Sequence, residues 1–560
     1  MASDHSLGME ALGSGPLPPP PLPPPLPAPP LPLADATRRA LITGGGGFLG
    51  FRLAATLARD GVEVTILDLA PPRQPLPPRV RFIAGSVADA DAVEAAFDLA
   101  ASPFPPPQQT DKSAPGPPPG PAAASERTDA RGDVRPTCGL DAVFHVASYG
   151  MSGRELRDQA ALIEAVNVGG SGHVAAACVR HAVPRLVYVS TCNVIFVGRP
   201  ISGGDESAPY PPAAAYKDAY SATKARAERV VLGASGSPLL PAPEPQAPGH
   251  EEPAGAVESR PRQLGARAVL RTCAVRSTGI WGPGETRHQP RVIRMVRQGV
   301  FVAAFGDPTT LSDWIHVDNL VQILMLAERG LRMPYSPAGA AATAERAEAG
   351  AGGATAVAGP GHENGHATTG SHSTSNGGGR GTGGHGGGGA RDMVAEGQVY
   401  YASDGAPINN FLHFKPFIVG LGYHYPSVSV PYGLVYGIAG VIEVAWPLLR
   451  ALIRDPPLTR MEVDKCCIEH WFRIDKARHE LGFAPAEYDR QEVVAHMAAE
   501  GWAAPGSELA RRVAAAGGAG GGGGAGGGSA APGAVSARCL VAGSVVAVAA
   551  AVGVGYMLRR

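Results

Sequence analysis

The chain carries a run of four glycines, Gly44 to Gly47, between an apolar stretch (Ala40-Leu41-Ile42) and a helical one (Phe51 to Leu57). Few other arrangements restrict a fold so much. Strand, glycine turn and helix in that order form the first half of a βαβ unit. The glycines let the backbone turn tightly, and the helix start offers free N–H groups and a positive dipole end to an anion. A second β-rich run, Val62 to Leu67, ends at Asp68. A carboxylate about 20 residues after the glycines is where a dinucleotide-binding unit places its ribose acceptor. The predicted ligand is therefore NAD, since Asp68 would repel the additional phosphate of NADP.

The α/β alternation continues beyond this unit. Val80 to Gly85 reads as a strand, Asp89 to Phe97 as a helix, Asp141 to Ala147 as a buried strand, Leu162 to His181 as a helix and Arg185 to Ser190 as a strand. Continuous apolar strands separated by helices predict an α/β fold: a Rossmann-type, doubly wound parallel sheet with ligands at the C-terminal strand ends. A smaller C-terminal substrate lobe is expected beside it.

Low-complexity sequence interrupts this pattern. Residues 101–139, 234–262 and 337–391 are rich in Pro, Gly, Ala or charge. They cannot bury enough apolar surface to offset the entropy of ordering them, so they read as flexible surface insertions. His362, His366, His372 and His385 lie irregularly spaced in the third, and no metal site is assigned. The expected organisation is a disordered proline-rich arm (1–36), a catalytic domain (37–505, the cofactor part mainly 37–205 and the substrate lobe mainly 206–505), a Gly-rich linker (506–538) and an apolar tail (539–558). The arm is extended polyproline II in character and suits either a solvated tail or a partner with an aromatic groove. No signal peptide or Arg-rich transit pattern opens the chain.

Cys539 to Leu558 is uncharged and closes on Arg559-Arg560. A helix of that length crosses a hydrocarbon core of about 30 Å, so the tail predicts a single C-terminal membrane anchor with the catalytic domain cytosolic. A second apolar stretch, Val428 to Ile453, reads either as a membrane-lying helix or as a buried helical hairpin of the substrate lobe. The net charge of −1 gives no footprint for nucleic acid. Seven scattered cysteines without metal spacing suit a reducing compartment.

Tyr220-Ser221-Ala222-Thr223-Lys224 carries the chemistry. Tyr and Lys four apart share a helix face, and an ammonium near a phenol lowers its pKa from about 10. Such a phenol takes a proton from an alcohol as hydride leaves the same carbon, or returns it to a ketone. Thr191, at a strand end about 30 residues upstream, can hydrogen-bond the reacting oxygen. Asn167 is the candidate to continue a proton relay from Lys224.

With these residues in place the chain resembles the extended short-chain dehydrogenase/reductases. Thr43 to Gly50 is their TGxxGxxG, and Thr191, Tyr220 and Lys224 match their Ser/Thr-Tyr-Lys triad in order and spacing. Within that group it is most similar to the 3β-hydroxysteroid dehydrogenase/isomerase family and its 42E branch. Phe144 to Glu155, Ser190 to Phe196, Gly279 to Glu285 and His316 to Val321 carry the likeness, which runs from about Arg39 to Trp502. Cofactor contacts are assigned to Gly44, Gly47, Phe48, Leu49, Gly50, Asp68 and Ala147, together with Tyr220 and Lys224. The resemblance implies NAD-linked oxidation of a 3β-hydroxyl on a sterol, steroid or related lipid, with double-bond isomerisation or oxidative decarboxylation in some relatives. A homodimer and the endoplasmic reticulum membrane are the expectations by analogy. Ser86 stands where the family usually has Asp near the adenine, and Ser277 where it usually has Pro. Two other readings are a non-catalytic NAD-binding membrane scaffold, and a sugar-nucleotide epimerase of the same fold.

Overall fold

The computed structural model describes residues 37–104, 127–128, 134–135, 139–150, 159–240, 268–335, 392–449 and 458–518. The proline-rich arm, most of the three insertions, the Met151 to Glu155 end of one motif and the 539–558 tail lie outside these residues. Seven strands form one sheet: β1 (Arg39–Thr43), β2 (Glu63–Asp68), β3 (Val80–Ala84), β4 (Ala142–His145), β5 (Arg185–Thr191), β6 (Arg271–Ser277) and β7 (Val399–Ala402). Their order is β7-β6-β5-β4-β1-β2-β3, and every pairing is parallel. The doubly wound parallel sheet is thus as expected. The chain leaves β1 to one side for β2 and later returns to its other side with β4, so a cleft opens above the C-terminal ends of β1 and β4.

The strand alternation feeds two cores. Ile42, Val64, Phe144, Val187 and Val275 face one, shared with helix α1 (Phe48–Arg59), which contributes Leu53 and Leu57. Leu41, Val143, Leu186, Tyr188 and Ala274 face the other, with Val93 and Phe97 from α2 (Ala90–Ala101) and Val174 and Cys178 from α3 (Ala160–Arg180). A period of two in apolar side chains, buried on both faces, is what a covered parallel sheet demands. Within α3, Ala165–Gly169 form a π turn. Such a bulge re-aims the side chains it carries, Asn167 among them.

Helix α4 (Ala219–Gly233) packs on the second core through Ala227 and Val231 and carries both Tyr220 and Lys224. Its lower turn is held by a buried ion pair. Arg276 on β6 donates to Glu228 at 2.7 Å, with side chains 2 % and 0 % exposed, and Glu228 also accepts from the Tyr210 hydroxyl. Burial alone would push the Glu228 carboxyl up, but the guanidinium holds it below its ordinary value.

The C-terminal part of the chain has its own cores. Trp281, Trp314 and Ile293 of α5 (His288–Arg297) pack with Phe417 and Ile418 of α7 (Asn410–Gly420) and with Val494 and Met497 of α10 (Arg490–Ala499). Arg52 of α1 and Asp318 of α6 (Val317–Gly330), two helices that share the first core, form a paired fork at 2.6 and 2.7 Å. Within the described part of the second apolar stretch, α8 (Tyr432–Leu449) packs against α9 (Arg460–Cys467) through Val435, Ala439 and Val463. The described part of the stretch expected as a Gly-rich linker is mostly helical. Residues Glu508–Gly518 form helix α11, whose Leu509 and Val513 rest on the lobe's apolar core. Burial of two side chains offsets the poor propensity of its glycines.

Removing the guanidinium while the carboxylate stays is the costly change at the Arg276–Glu228 pair. Arg276→Met is expected to lower stability by about 3–5 kcal/mol, and Arg276→Met with Glu228→Leu to recover most of that loss. Urea unfolding of the two variants beside the parent chain measures both.

Candidate active site

At the end of β1, Gly44 adopts φ +73 and donates through its N–H to the Leu67 carbonyl at 2.8 Å. The turn leaves no room for side chains. A Cβ on Gly44 would lie 2.7 Å from the Ala147 nitrogen, on Gly46 2.4 Å from the Ala70 oxygen, and on Gly50 2.2 Å from the Gly44 oxygen. The first turn of α1 therefore comes up against the glycine turn and points its N–H groups over it. Its N-cap, Gly47, offers no side chain to cap them. That is the donor set a pyrophosphate requires. Asp68 closes β2 with Oδ2 accepting from the Gly46 N–H at 3.0 Å and Oδ1 from Leu69 at 2.7 Å. The carboxylate therefore holds the turn as well as facing the cleft. Gly44, Gly47, Phe48, Leu49, Gly50, Asp68 and Ala147 all line one cavity, and Ser86 lines it too. The residues present fit a dinucleotide.

A buried polar chain supports this cradle from below. The Ser171 hydroxyl donates to the Asn167 carbonyl at 2.6 Å, so the His145 Nε2–H donates to Ser171 at 2.9 Å. His145 Nδ1 then accepts from the Thr43 hydroxyl at 2.6 Å, and Thr43 accepts from the Ala147 N–H at 3.3 Å. Burial drives the His145 imidazole down to about 3, and the nearby Lys224 adds to this, which keeps the ring neutral as the chain requires.

The same cavity, about 1120 Å³ in volume, continues past Thr191, Tyr220 and Lys224 to the α8–α9 pair. Thr191 Oγ1 accepts from the N–H and the side-chain amide of Asn193 at 3.3 and 3.0 Å, which leaves its own O–H as the remaining donor. Tyr220 is 6 % exposed. Three of the four residues assigned to catalysis thus share one cavity.

Two of these residues hold partners other than those expected. Burial outweighs the expected effect of Lys224 on the Tyr220 phenol. Its Nζ donates to the Val189 carbonyl at 2.6 Å and lies 4.1 Å above the Tyr188 ring. Burial, opposed by Glu228, brings Lys224 itself down to about 7. The phenol is pushed up to about 12, burial being the largest cause; the Arg287 cation works against this, and Asp218 and Cys192 with it. Desolvation outweighs the helix-face pairing because both groups are closed off from water. Asn167, in turn, is occupied elsewhere. It accepts from the Tyr149 N–H at 2.8 Å and donates to the Tyr149 carbonyl and the Thr223 hydroxyl, each at 2.9 Å. Its side chain therefore ties the loop after β4 to α4.

Sequence reasoning did not single out Ser148 or Arg287, which line the cavity with Tyr220 and act to favour its ionised form. Ser148 directly follows the Phe144-His145-Val146-Ala147 run, a signal that was available. Arg287 comes from the turn that Glu285 organises by accepting from the N–H groups of Arg287, His288 and Gln289 at 2.5, 2.8 and 2.8 Å. Nothing local indicated that this turn would face Tyr220.

Comparison with known proteins leads to the same place. Residues 40–103 match the NAD dependent epimerase/dehydratase family, and residues 130–242 and 257–343 match the 3-beta hydroxysteroid dehydrogenase/isomerase family. The protein is thus of the NAD-dependent oxidoreductase and epimerase class, and NAD is its cofactor. It is 36% identical over 462 residues to short-chain dehydrogenase/reductase family 42E member 1 of Macaca fascicularis, covering 82% of this chain and 87% of that one. On that similarity the chain belongs to the short-chain dehydrogenase/reductase family, in its 42E branch. A 3 beta-hydroxysteroid dehydrogenase/Delta 5-->4-isomerase of Mycobacterium tuberculosis is 25% identical over 80% of this chain and 86% of its own. Among solved structures, dTDP-glucose 4,6-dehydratase of Streptomyces venezuelae superposes with a TM-score of 0.47 at 16% identity, covering 83% and 99%.

Gly50→Ala sets a methyl against the Gly44 backbone and is expected to weaken NAD binding at least tenfold, about 1.4 kcal/mol. Gly172→Ala on α3, where a Cβ meets nothing within 4 Å, should leave it unchanged. Fluorescence titration of the full chain with NAD distinguishes them.

Proposed function

We propose that this chain is an NAD-linked oxidoreductase of a 3β-hydroxyl, or the corresponding ketone, on a steroid, sterol or similar lipid. The observation that carries the reading is the continuity of the cavity. One end is the glycine cradle and the other is apolar, walled by Met295, Phe301, Phe411, Val435, Ile438 and Ile442. A rigid hydrocarbon seated there would present its oxygen at Thr191 and Tyr220. The mycobacterial relative, whose name states that activity on a 3β-hydroxysteroid, supports the same substrate class.

NAD, when bound, accepts or returns the hydride. The protein's own residues handle the proton. Thr191 donates to the substrate oxygen and holds it in line. Tyr220 takes the hydroxyl proton in oxidation and returns it in reduction, since its phenol is within the same cavity as Thr191 and Lys224. The phenol begins high because the site is dry. Positive charge must therefore gather about it before it can act as a base, and Lys224 and Arg287 are the residues that supply it.

Helix α8 supports entry of the substrate from a bilayer. It has 18 residues with a mean hydropathy of 1.5, long and apolar enough to cross a membrane by length and composition. Its inner face forms the cavity wall, which favours a helix lying on the membrane over one crossing it. Val441, Val444 and Leu448 face outward, 69%, 82% and 80% exposed. Together with the 539–558 tail, this face would bring a lipid-dissolved substrate to the cavity without passing it through water.

Tyr220→Phe is expected to lower turnover of 3β-hydroxysteroids by about 10²–10⁴-fold with NAD binding within a few-fold of the parent. Formation of reduced cofactor with a panel of 3β-hydroxysteroids and sterols reads the first, and NAD titration the second. Full turnover in Tyr220→Phe would sink the reading. Val441→Asp with Val444→Asp, in protein ending before residue 539, should lose most of its co-sedimentation with phosphatidylcholine vesicles.

A further inference from the structure

The dipeptide Lys217-Asp218 immediately precedes α4, and Asp464-Lys465 lies in α9. They meet with their charges crossed. Lys217 Nζ is 2.6 Å from Asp464 Oδ2, and Lys465 Nζ is 3.4 Å from Asp218 Oδ2. The two carboxylates are the buried members, 0 % and 2 % exposed, and each is fixed by a further donor. Asp218 caps α4, accepting from the Ser221 N–H at 2.6 Å and the Ser221 hydroxyl at 3.0 Å. Asp464 accepts from the hydroxyl of Tyr432, the first residue of α8, at 2.9 Å. A strap of charge thus joins the α8–α9 pair, which walls the apolar end of the cavity, to the cap of the helix that carries Tyr220.

Asp218 is two residues from Tyr220, and its negative charge acts against ionisation of the phenol. The other groups that face the phenol are Arg287 from the turn before α5, the Cys192 thiol after β5 and the Ser148 hydroxyl after β4. Lys224, one turn along α4, is committed to the Val189 carbonyl. Lys217 is committed to Asp464. Lys465 is therefore the cation that offsets Asp218, and it also lines the cavity.

We infer that Lys465 and Asp218 are positioning residues for Tyr220, the α9 lysine setting the charge at the phenol by neutralising the carboxylate that caps its helix. The inference rests on Tyr220 being the acid–base of the proposed reaction. It deepens that reading by giving the substrate lobe a hand in the proton transfer, although its helix contributes no atom to the transfer itself.

The test is the pH dependence of dehydroepiandrosterone oxidation by the full chain with NAD, where the rate rises as the base ionises. Lys465→Met leaves the Asp218 charge uncompensated and should move the rising limb up by about half to one pH unit. Lys465→Arg should restore it. Asp218→Asn keeps an oxygen acceptor for the helix cap, removes the charge, and should move the limb down. In the Asp218→Asn background, where no carboxylate holds Lys465 at the helix cap, Lys465→Met should move the limb by less than half as much as in the parent. A Lys465→Met limb that coincides with the parent's, or a rise in KM alone, overturns the inference, as does a shift equally large in the Asp218→Asn background. Tyr220→Phe separates the two layers. If it is inactive while the Lys465→Met limb stays in place, only the inference fails. If it turns over normally, or if the parent oxidises no 3β-hydroxysteroid, the reading of the site fails and the inference with it.

Discussion

The close approach of three backbone segments above the β1–β4 gap governs the rest of this structure. The glycine turn, the first turn of α1 and the Val146–Ala147 segment come within distances that no Cβ could share. That contact brings free N–H donors to the middle of the sheet's C-terminal edge. It also sets where the cleft lies, and so which strand ends can contribute to it. β5 is one strand further on, and its last residues, Ser190 and Thr191, face the same cavity as the cradle. The Thr43–His145–Ser171–Asn167 chain then binds the turn to the π bulge of α3 beneath it. The polar cradle is supported by a polar chain in which each group has a partner, as burial requires.

Burial has opposite consequences at the two ends of the cavity. At the apolar end it creates a place for a hydrocarbon ligand. At Tyr220 and Lys224 it disfavours both charged forms, lifting the phenol and lowering the ammonium. A helix-face pairing of Tyr and Lys is therefore insufficient by itself to activate the phenol. The neighbouring charges decide, and they come from scattered elements: Glu228 held by Arg276, Asp218 at the helix cap, Arg287 on the α5 turn. The Arg276–Glu228 pair matters here for a second reason. It keeps an anion one turn below Lys224 while neutralising most of its cost, which favours retaining a charged lysine in a dry site.

Much of the cofactor half was legible because its signals are local. Strand, glycines, helix and acid follow one another within the Arg39–Asp68 stretch, and each obeys a backbone rule that does not depend on distant residues. The Tyr220–Lys224 spacing was legible for the same reason. The partners of Asn167 were not legible because they depend on a π turn that no residue pattern announces, and on Tyr149 and Thr223 meeting it there. Helix α11 was hidden by its glycines, since composition describes propensity while two apolar contacts with another element decided the outcome. Val428–Ile453 was ambiguous because hydropathy cannot tell which face of a helix meets protein. The answer came from α9, which buries Val435 and Ala439 and leaves Val441, Val444 and Leu448 outward.

The amino-acid sequence alone determined the sheet type, the dinucleotide turn with its acidic partner, the phenol–amine pair and the family. All of these follow from short-range periodicity and from spacings that backbone geometry dictates. Only the tertiary structure decided the electrostatics of the site and the shape of what it can hold. Lys465 reaches Asp218, Arg287 faces Tyr220, and α8 closes the cavity, across separations in sequence that no local rule spans. Charge in a dry cavity acts through space, so its effect is set once the chain has brought those groups together.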